Sequence, residues 1–200
     1  MAFLAEMVFA DFASVASWWH GNSRAGFEAC SFVSIGGGWA MSGSTTAIEA
    51  DEVWWVAYEI HVDASWATRR AVVTAKRGTR SVDEITIEGD GHGHWVIDGR
   101  AQPQLDGCLD VDLESSAMTN ALPLRRLGPP VGASVTAPAV YVRVDRLTVE
   151  RLEQRYSRVL DSDTGPAFDY EAPSFDFRCR IDYDPAGLVV HYPGIADRLA

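Results

Sequence analysis

Hydrophobic and polar residues alternate through most of this chain. From Glu52 to Asp63, the residues Trp54, Val56, Tyr58, Ile60 and Val62 share one side, with Glu59, His61 and Asp63 on the other. Successive side chains of a strand point to opposite faces, so this period of two predicts a strand with one buried face. Phe175–Tyr183 repeats the pattern, setting Phe175, Phe177, Cys179, Ile181 and Tyr183 against Asp176, Arg178, Arg180 and Asp182. Ala71–Lys76, the neighbourhood of Tyr141, and Leu188–Tyr192 follow it less strictly. Turn signals separate the runs: Gly36-Gly37-Gly38, Gly78, Asp90-Gly91, Asp98-Gly99, Gly128-Pro129-Pro130 and Pro185-Ala186-Gly187. Strands at a spacing of about 8–12 residues with glycine turns predict a mainly β, antiparallel architecture, either a barrel or a curled roll.

Three stretches need separate treatment. In Gly107–Leu127, Leu109, Val111 and Leu113 face one way and Cys108, Asp110, Asp112 and Glu114 the other. Acidic groups on one face of a buried strand are costly unless paired or hydrated, and Arg125 and Arg126, a dozen residues on, are the candidates to pair them. Thr119–Leu127 reads as a helical turn, with Thr119 or Asn120 as its cap and Pro123 restricting its start. Leu147–Leu160 fits both helix and strand spacing, and the β surroundings favour strand. Residues 1–16 carry Phe3, Leu4, Met7, Val8, Phe12 and Val15 near a helical stripe, so they form a short amphipathic helix or an extension. Residues 17–200 then make a single domain, since no internal linker or repeat divides them.

Composition narrows the function classes. The chain has 200 residues, enough to bury a sizeable core, and a net charge of −11. That charge repels phosphate backbones and anionic lipids, which argues against nucleic acid as a partner. No apolar run approaches the ~18–20 residues that span a bilayer, so stable membrane insertion is not expected. Cys30, Cys108 and Cys179 have no metal spacing and suit reduced thiols. With no basic start to suggest a secretory signal, the expected compartment is cytoplasmic. Oligomeric state is not legible.

Several strings together carry a family resemblance: Gly26-Phe27-Glu28, Trp95-Val96-Ile97-Asp98-Gly99, Gly107-Cys108-Leu109-Asp110-Val111-Asp112-Leu113, Thr119-Asn120-Ala121-Leu122-Pro123-Leu124-Arg125-Arg126-Leu127, Gln154-Arg155-Tyr156 and Gly187–Gly194. In this order, over about Trp18 to Arg198, the chain resembles the bacterial "putative glycolipid-binding" family. The resemblance implies a spiral β-roll wrapped around a short central helix, which Thr119–Leu127 would supply. It implies binding of an amphipathic small molecule or glycolipid, without catalysis. Ala117-Met118 departs from the family pattern, which has proline and an aromatic there; Met118 would give a cavity a softer wall.

The candidate chemistry falls into two sets. Asp110, Asp112, Asn120, Arg125 and Arg126 form either the polar end of a binding cavity or an internal salt-bridge network that anchors the helix. Trp54, Tyr58, Trp95, Tyr141, Phe175, Phe177 and Tyr192 lie on faces that look inward, where they pack a core or line a cavity for an acyl chain. Tyr156 and Met118 join the ligand-binding candidates through the family motifs. An alternative is a hydrolase acting on a sugar or lipid with Asp110 and Asp112 as acid and base. Alternate residues of one strand lie ~7 Å apart, within the range of glycosidase carboxylates. Other signatures are missing. Gly21–Gly26 is one residue too long for a nucleophile elbow, and Gly89, Gly91 and Gly93 lack the lysine or helix of a phosphate site. His92 and His94 read as a hairpin tip rather than a metal site. No cofactor is expected.

Overall fold

A computed structural model describes residues 7–21 and 24–200. The first half is an antiparallel meander: β1 (Val15–His20), β2 (Ala25–Ile35), β3 (Gly38–Glu49), β4 (Glu52–Asp63), β5 (Thr68–Arg77) and β6 (Asp83–Gly89). Short strands β7 (Trp95–Ile97) and β8 (Arg100–Ala101) end it. β9 (Asp110–Leu113) leaves the sheet, and a 3-10 turn at Met118–Asn120 runs into α1 (Ala121–Leu127). The chain continues through β10 (Ser134–Thr136), β11 (Ala139–Val142), β12 (Val149–Leu152), β13 (Arg155–Arg158) and β14 (Ala167–Ala172). It finishes with β15 (Phe177–Tyr183), β16 (Val189–Tyr192) and β17 (Ala196–Arg198).

Among the described residues, fourteen strands make one curled sheet in the order β10, β13 to β17, β1, then β2 to β8; β12, β11 and β9 form a second, three-stranded sheet. β1 pairs antiparallel with β2 on one side and with β17 on the other, so the first and last strands meet inside the sheet. β9 lies parallel to β11, against the general antiparallel rule. The mainly β reading therefore holds. So does the strand reading of residues 147–160, which contain β12 and β13.

The alternation predicted for β4 is realised in its burial: Trp54, Val56, Tyr58, Ile60 and Val62 are each at most 4% exposed. Burying such side chains contributes roughly 1.5–3 kcal/mol apiece before entropy is counted. α1 is enclosed, with Ala121, Leu122, Pro123 and Leu124 buried. It ends where Gly128 takes a left-handed conformation (φ 48°) and returns its N–H to the Leu124 carbonyl at 2.8 Å, a stop that glycine makes without strain. Asn120 does not cap α1 through its side chain; the preceding 3-10 turn leads directly into it instead.

Residues 1–6, part of the expected N-terminal helix or extension, lie outside the described residues. From Met7 to Ser14 the chain is not helical. Its N–H groups are used elsewhere: Ala10 donates to the Pro185 carbonyl at 2.9 Å, and Met7 to that of Gly128 at 3.4 Å. Val8 is 91% exposed while Phe12 is 9% exposed. Met7 to Ser14 thus form an extended strap lying beside the C-terminal end of α1.

One close approach organises the interior. A Cβ on Gly43 would lie 2.3 Å from the Tyr58 hydroxyl, because the Tyr58 ring crosses over β3 to reach Glu28 on β2. Gly43→Ala is expected to displace the phenol and cost about 1–3 kcal/mol, as overpacked cores do. Urea denaturation of the variant measures this, and an unchanged midpoint would mean that the ring has room to move.

Candidate functional site

The side chains that close one end of the roll converge on a cavity of about 230 Å³. Its floor is polar: Asp112 from β9, Glu114 just beyond it, Ser116, Asn120 from the 3-10 turn and His20 from β1. Its walls are aromatic, formed by Tyr141, Tyr170, Phe175, Phe177 and Tyr192. The rings of Tyr170, Phe177 and Tyr192 form a trio with centroids 6.0–6.2 Å apart and planes inclined by 58–79°. Phe175, 43% exposed, stands at the rim. Two surface grooves are larger, about 510 Å³ along the outside of β1 to β3 and about 440 Å³ beside Trp95. The first is bordered largely by alanine, serine and glycine. The second has a histidine and several acids but a single aromatic ring. Neither joins an aromatic wall to a buried polar floor as the end cavity does.

Behind the floor lies a buried hub. Glu28 is 0% exposed and uses both oxygens. Oε1 accepts from the Tyr58 hydroxyl at 2.7 Å and from the Ser116 hydroxyl. Oε2 accepts from the Ala117 N–H at 2.8 Å and meets His20 Nε2 at 3.0 Å. A carboxylate in the interior persists only when its lone pairs are filled in this way. Glu28 thereby ties β2 to the turn that carries Asn120 toward the cavity. Burial pushes the Tyr58 phenol well above its usual range, with the Glu28 charge adding to the effect, so it is a donor at all ordinary pH.

The two aspartates of β9 have separate fates. Asp110 is closed in a two-pronged pair with Arg126, with Nε to Oδ1 at 3.0 Å and Nη2 to Oδ2 at 2.6 Å, and it does not line the cavity. Asp112 does. Burial lifts its carboxyl from the usual range to about 6, an effect reduced by the Thr119 hydroxyl and increased by the charge of Asp110. Thr119 Oγ1 sits 3.1 Å from Asp112 Oδ1, but its single proton is shared with the Ser116 carbonyl at the same distance. Among the described residues no basic side chain forms an ion pair with Asp112.

The other sequence-derived candidates are spread through the fold. Tyr192 and Asn120 line the cavity, and Tyr156 stands directly behind, donating to Asn120 Oδ1 at 3.1 Å. Tyr58 serves the Glu28 hub. Trp54 is core, with the Arg24 guanidinium 5.4 Å from its ring. Trp95 is also core, and its indole donates to the Cys108 carbonyl at 2.9 Å. Met118 is 0% exposed and does not line the cavity. Arg125 goes the other way along α1 from Asn120. It donates to the carbonyls of Ala10 and Ala186, and its guanidinium lies 4.1 Å from the Trp66 ring and 4.2 Å from that of Phe12. Burial lowers its pKa to about 10. Arg125 thus fastens the strap, while Arg126 holds the acid.

Sequence reasoning gave no site role to His20, Glu28, Ser116 or Tyr170. For Glu28 there was a signal: it shares the inward face of β2 with Cys30 and Phe32, an acid where alternation demands an apolar residue. The cysteines stay apart and free, and burial raises Cys30 and Cys179 to about 12 and Cys108 to about 11, which keeps all three as thiols. At the hairpin after β6, Asp90 accepts the backbone N–H groups of His92 and His94 at 2.7 and 3.1 Å, the geometry of a turn. Among the described residues no helix is long and apolar enough to cross a membrane.

A sequence model of the family described as "Putative glycolipid-binding" matches residues 16–198. No curated protein matches. The chain is similar to a DUF1089 family protein from Pseudomonas aeruginosa, solved by crystallography at 1.80 Å resolution. The two share 27% identity and a TM-score of 0.75, with 100% of this chain and 99% of that chain covered. It is also similar to a β-barrel-like protein of domain of unknown function DUF1849 from Brucella abortus, at 8% identity and a TM-score of 0.50. That likeness covers 93% of this chain and 94% of the other and concerns the fold alone.

Proposed function

The chain belongs to the "Putative glycolipid-binding" family, and from that premise we propose that it binds an amphipathic ligand by its head group, in the end cavity rather than along the roll. The observation that carries this reading is the pairing of an aromatic wall with a buried polar floor in one space. Sugar rings present an apolar face and a rim of hydroxyls, so they are matched by aromatic rings together with carboxylate and amide acceptors. Size sets the division of labour. A cavity of about 230 Å³ is below the ~300–1,000 Å³ that encloses a drug-sized molecule. It suits one ring and leaves an alkyl tail to pass out over Phe175 and Phe177. The Asp110–Arg126 pair is closed on itself and does not line the cavity.

Hydrolysis by Asp110 and Asp112 gains no support from this geometry, because only Asp112 borders the space where a substrate would sit. The test is calorimetric titration with n-octyl β-D-glucoside below its micelle concentration. Saturable binding, weakened about tenfold or more by Tyr192→Ala, is the expected result. Absence of binding to the wild-type protein, or full retention in the variant, overturns the reading.

A further inference from the structure

We infer that the cavity prefers a head group carrying an ammonium, an amino sugar over its hydroxyl counterpart, and rejects phosphorylated heads. This rests on the reading above and names the chemistry of the same site.

The charges around the cavity are unequal in a directed way. Among the described residues no lysine or arginine lines it. The cations beside it are already engaged: Arg143, 6.0 Å from the Tyr141 ring, pairs with Glu150 at 3.4 Å. Arg24 Nη2 meets Glu114 Oε1 at 2.9 Å, while Glu114 Oε2 accepts the Val144 N–H at 2.9 Å. Arg126 is committed to Asp110. His20, the remaining basic group of the lining, faces Glu28. An anionic head would therefore enter beside two carboxylates and find no free cation. Asp112 is the opposite case. It is 8% exposed, and the partners that favour its charged form, Thr119 and Gln154, are neutral dipoles. A buried carboxylate so placed is satisfied best by a charged donor from outside. The aromatic walls add to this, because ring faces attract a desolvated cation. The net charge of −11 favours the approach of cations over anions as well.

The experiment compares three ligands with one tail: octyl 2-amino-2-deoxy-β-glucoside, octyl β-glucoside and octyl β-glucoside 6-phosphate, titrated at neutral pH. The amino glucoside is expected to bind about tenfold tighter than the hydroxyl glucoside, and the phosphate weakest of all. N-acetylation of the amine, which removes the charge without touching the protein, should abolish the preference. Asp112→Asn, confirmed folded by its melting curve, should abolish it too. Equal affinity for the amino and hydroxyl glucosides, or tight binding of the phosphate, overturns this inference and leaves the sugar-binding reading intact. Failure of all three to bind overturns both.

Discussion

Glu28→Ala is expected to lower the unfolding free energy by on the order of 4 kcal/mol. The substitution removes the carboxylate that accepts from three buried donors, the Tyr58 hydroxyl, the Ser116 hydroxyl and the Ala117 N–H, leaving Ser116 only the longer contact to the Tyr58 oxygen at 3.4 Å and His20 facing a void. Each buried donor left without an acceptor costs ~1–3 kcal/mol, and truncating one partner of a buried ionic group costs ~3–5 kcal/mol. These are two descriptions of the same loss, so they are not summed. Glu28→Gln separates charge from shape. Its amide oxygen can serve one pair of donors, but its NH₂ then confronts the other pair, so an intermediate loss is expected. Guanidinium unfolding of both variants gives the comparison. A loss below about 1 kcal/mol for the alanine variant would mean that water fills the hub and that Glu28 does not organise this end of the roll. Because Ala117 leads into the turn that bears Asn120, the alanine variant should also lose octyl glucoside binding.

Asp112→Asn should act in the opposite direction and stabilise the protein, by on the order of 3 kcal/mol above pH 6. The carboxyl titrates near 6 in the folded chain against 3.8 for a free aspartate. The native state therefore holds its proton over a range in which the unfolded state has released it. Stability from this group is present in full below pH ~4, falls as pH rises toward ~6, and stays low beyond. About two units at 1.36 kcal/mol each give the magnitude. Asparagine keeps the volume and an oxygen for the Thr119 hydroxyl while removing the charge. Urea unfolding at pH 4 and pH 8 should show near-coincident curves at the lower pH and a gain for the variant at the higher one. An equal difference at both would show that the carboxylate carries no burial cost. A residue that weakens its own fold when ionised is what a ligand-facing acid looks like, since sites trade stability for function.

Much of the architecture was legible in the alternation. Strands such as β4 and β15 have one face buried, and a period of two records that directly; the buried segment from Met118 to Leu127 stood out because Thr-Asn and proline interrupt the pattern. The two neighbouring arginines were harder. In α1, Arg125 and Arg126 differ by one residue and hence by about 100° around the axis, so one reaches Asp110 on β9 and the other the strap. Sequence proximity offered both to the same acids. The Met7–Ser14 strap is ambiguous in sequence between helix and extension for another reason: its apolar residues fit a helical stripe, but its backbone is satisfied by Pro185 and Gly128, positions that no local pattern reveals. The cavity was the least legible feature. Tyr141, Tyr170, Phe177 and Tyr192 carry the same inward-facing signature as the packed rings of Tyr156 and Tyr183, and only the closure of the roll leaves space in front of one group.

The seating of β1 between β2 and β17 has a consequence for biosynthesis. During translation β1 can zip onto β2 as soon as the first hairpin leaves the ribosome, yet its other edge waits for residues near the C-terminus. Until Ala196–Arg198 arrive, that edge is an open row of amides and carbonyls, a template for pairing with a neighbouring nascent chain. The final closing contact is also among the longest-range in the molecule, which places it late and slow in folding. Aggregation during overexpression should therefore respond more to chaperone supply and slower translation than to changes within the core.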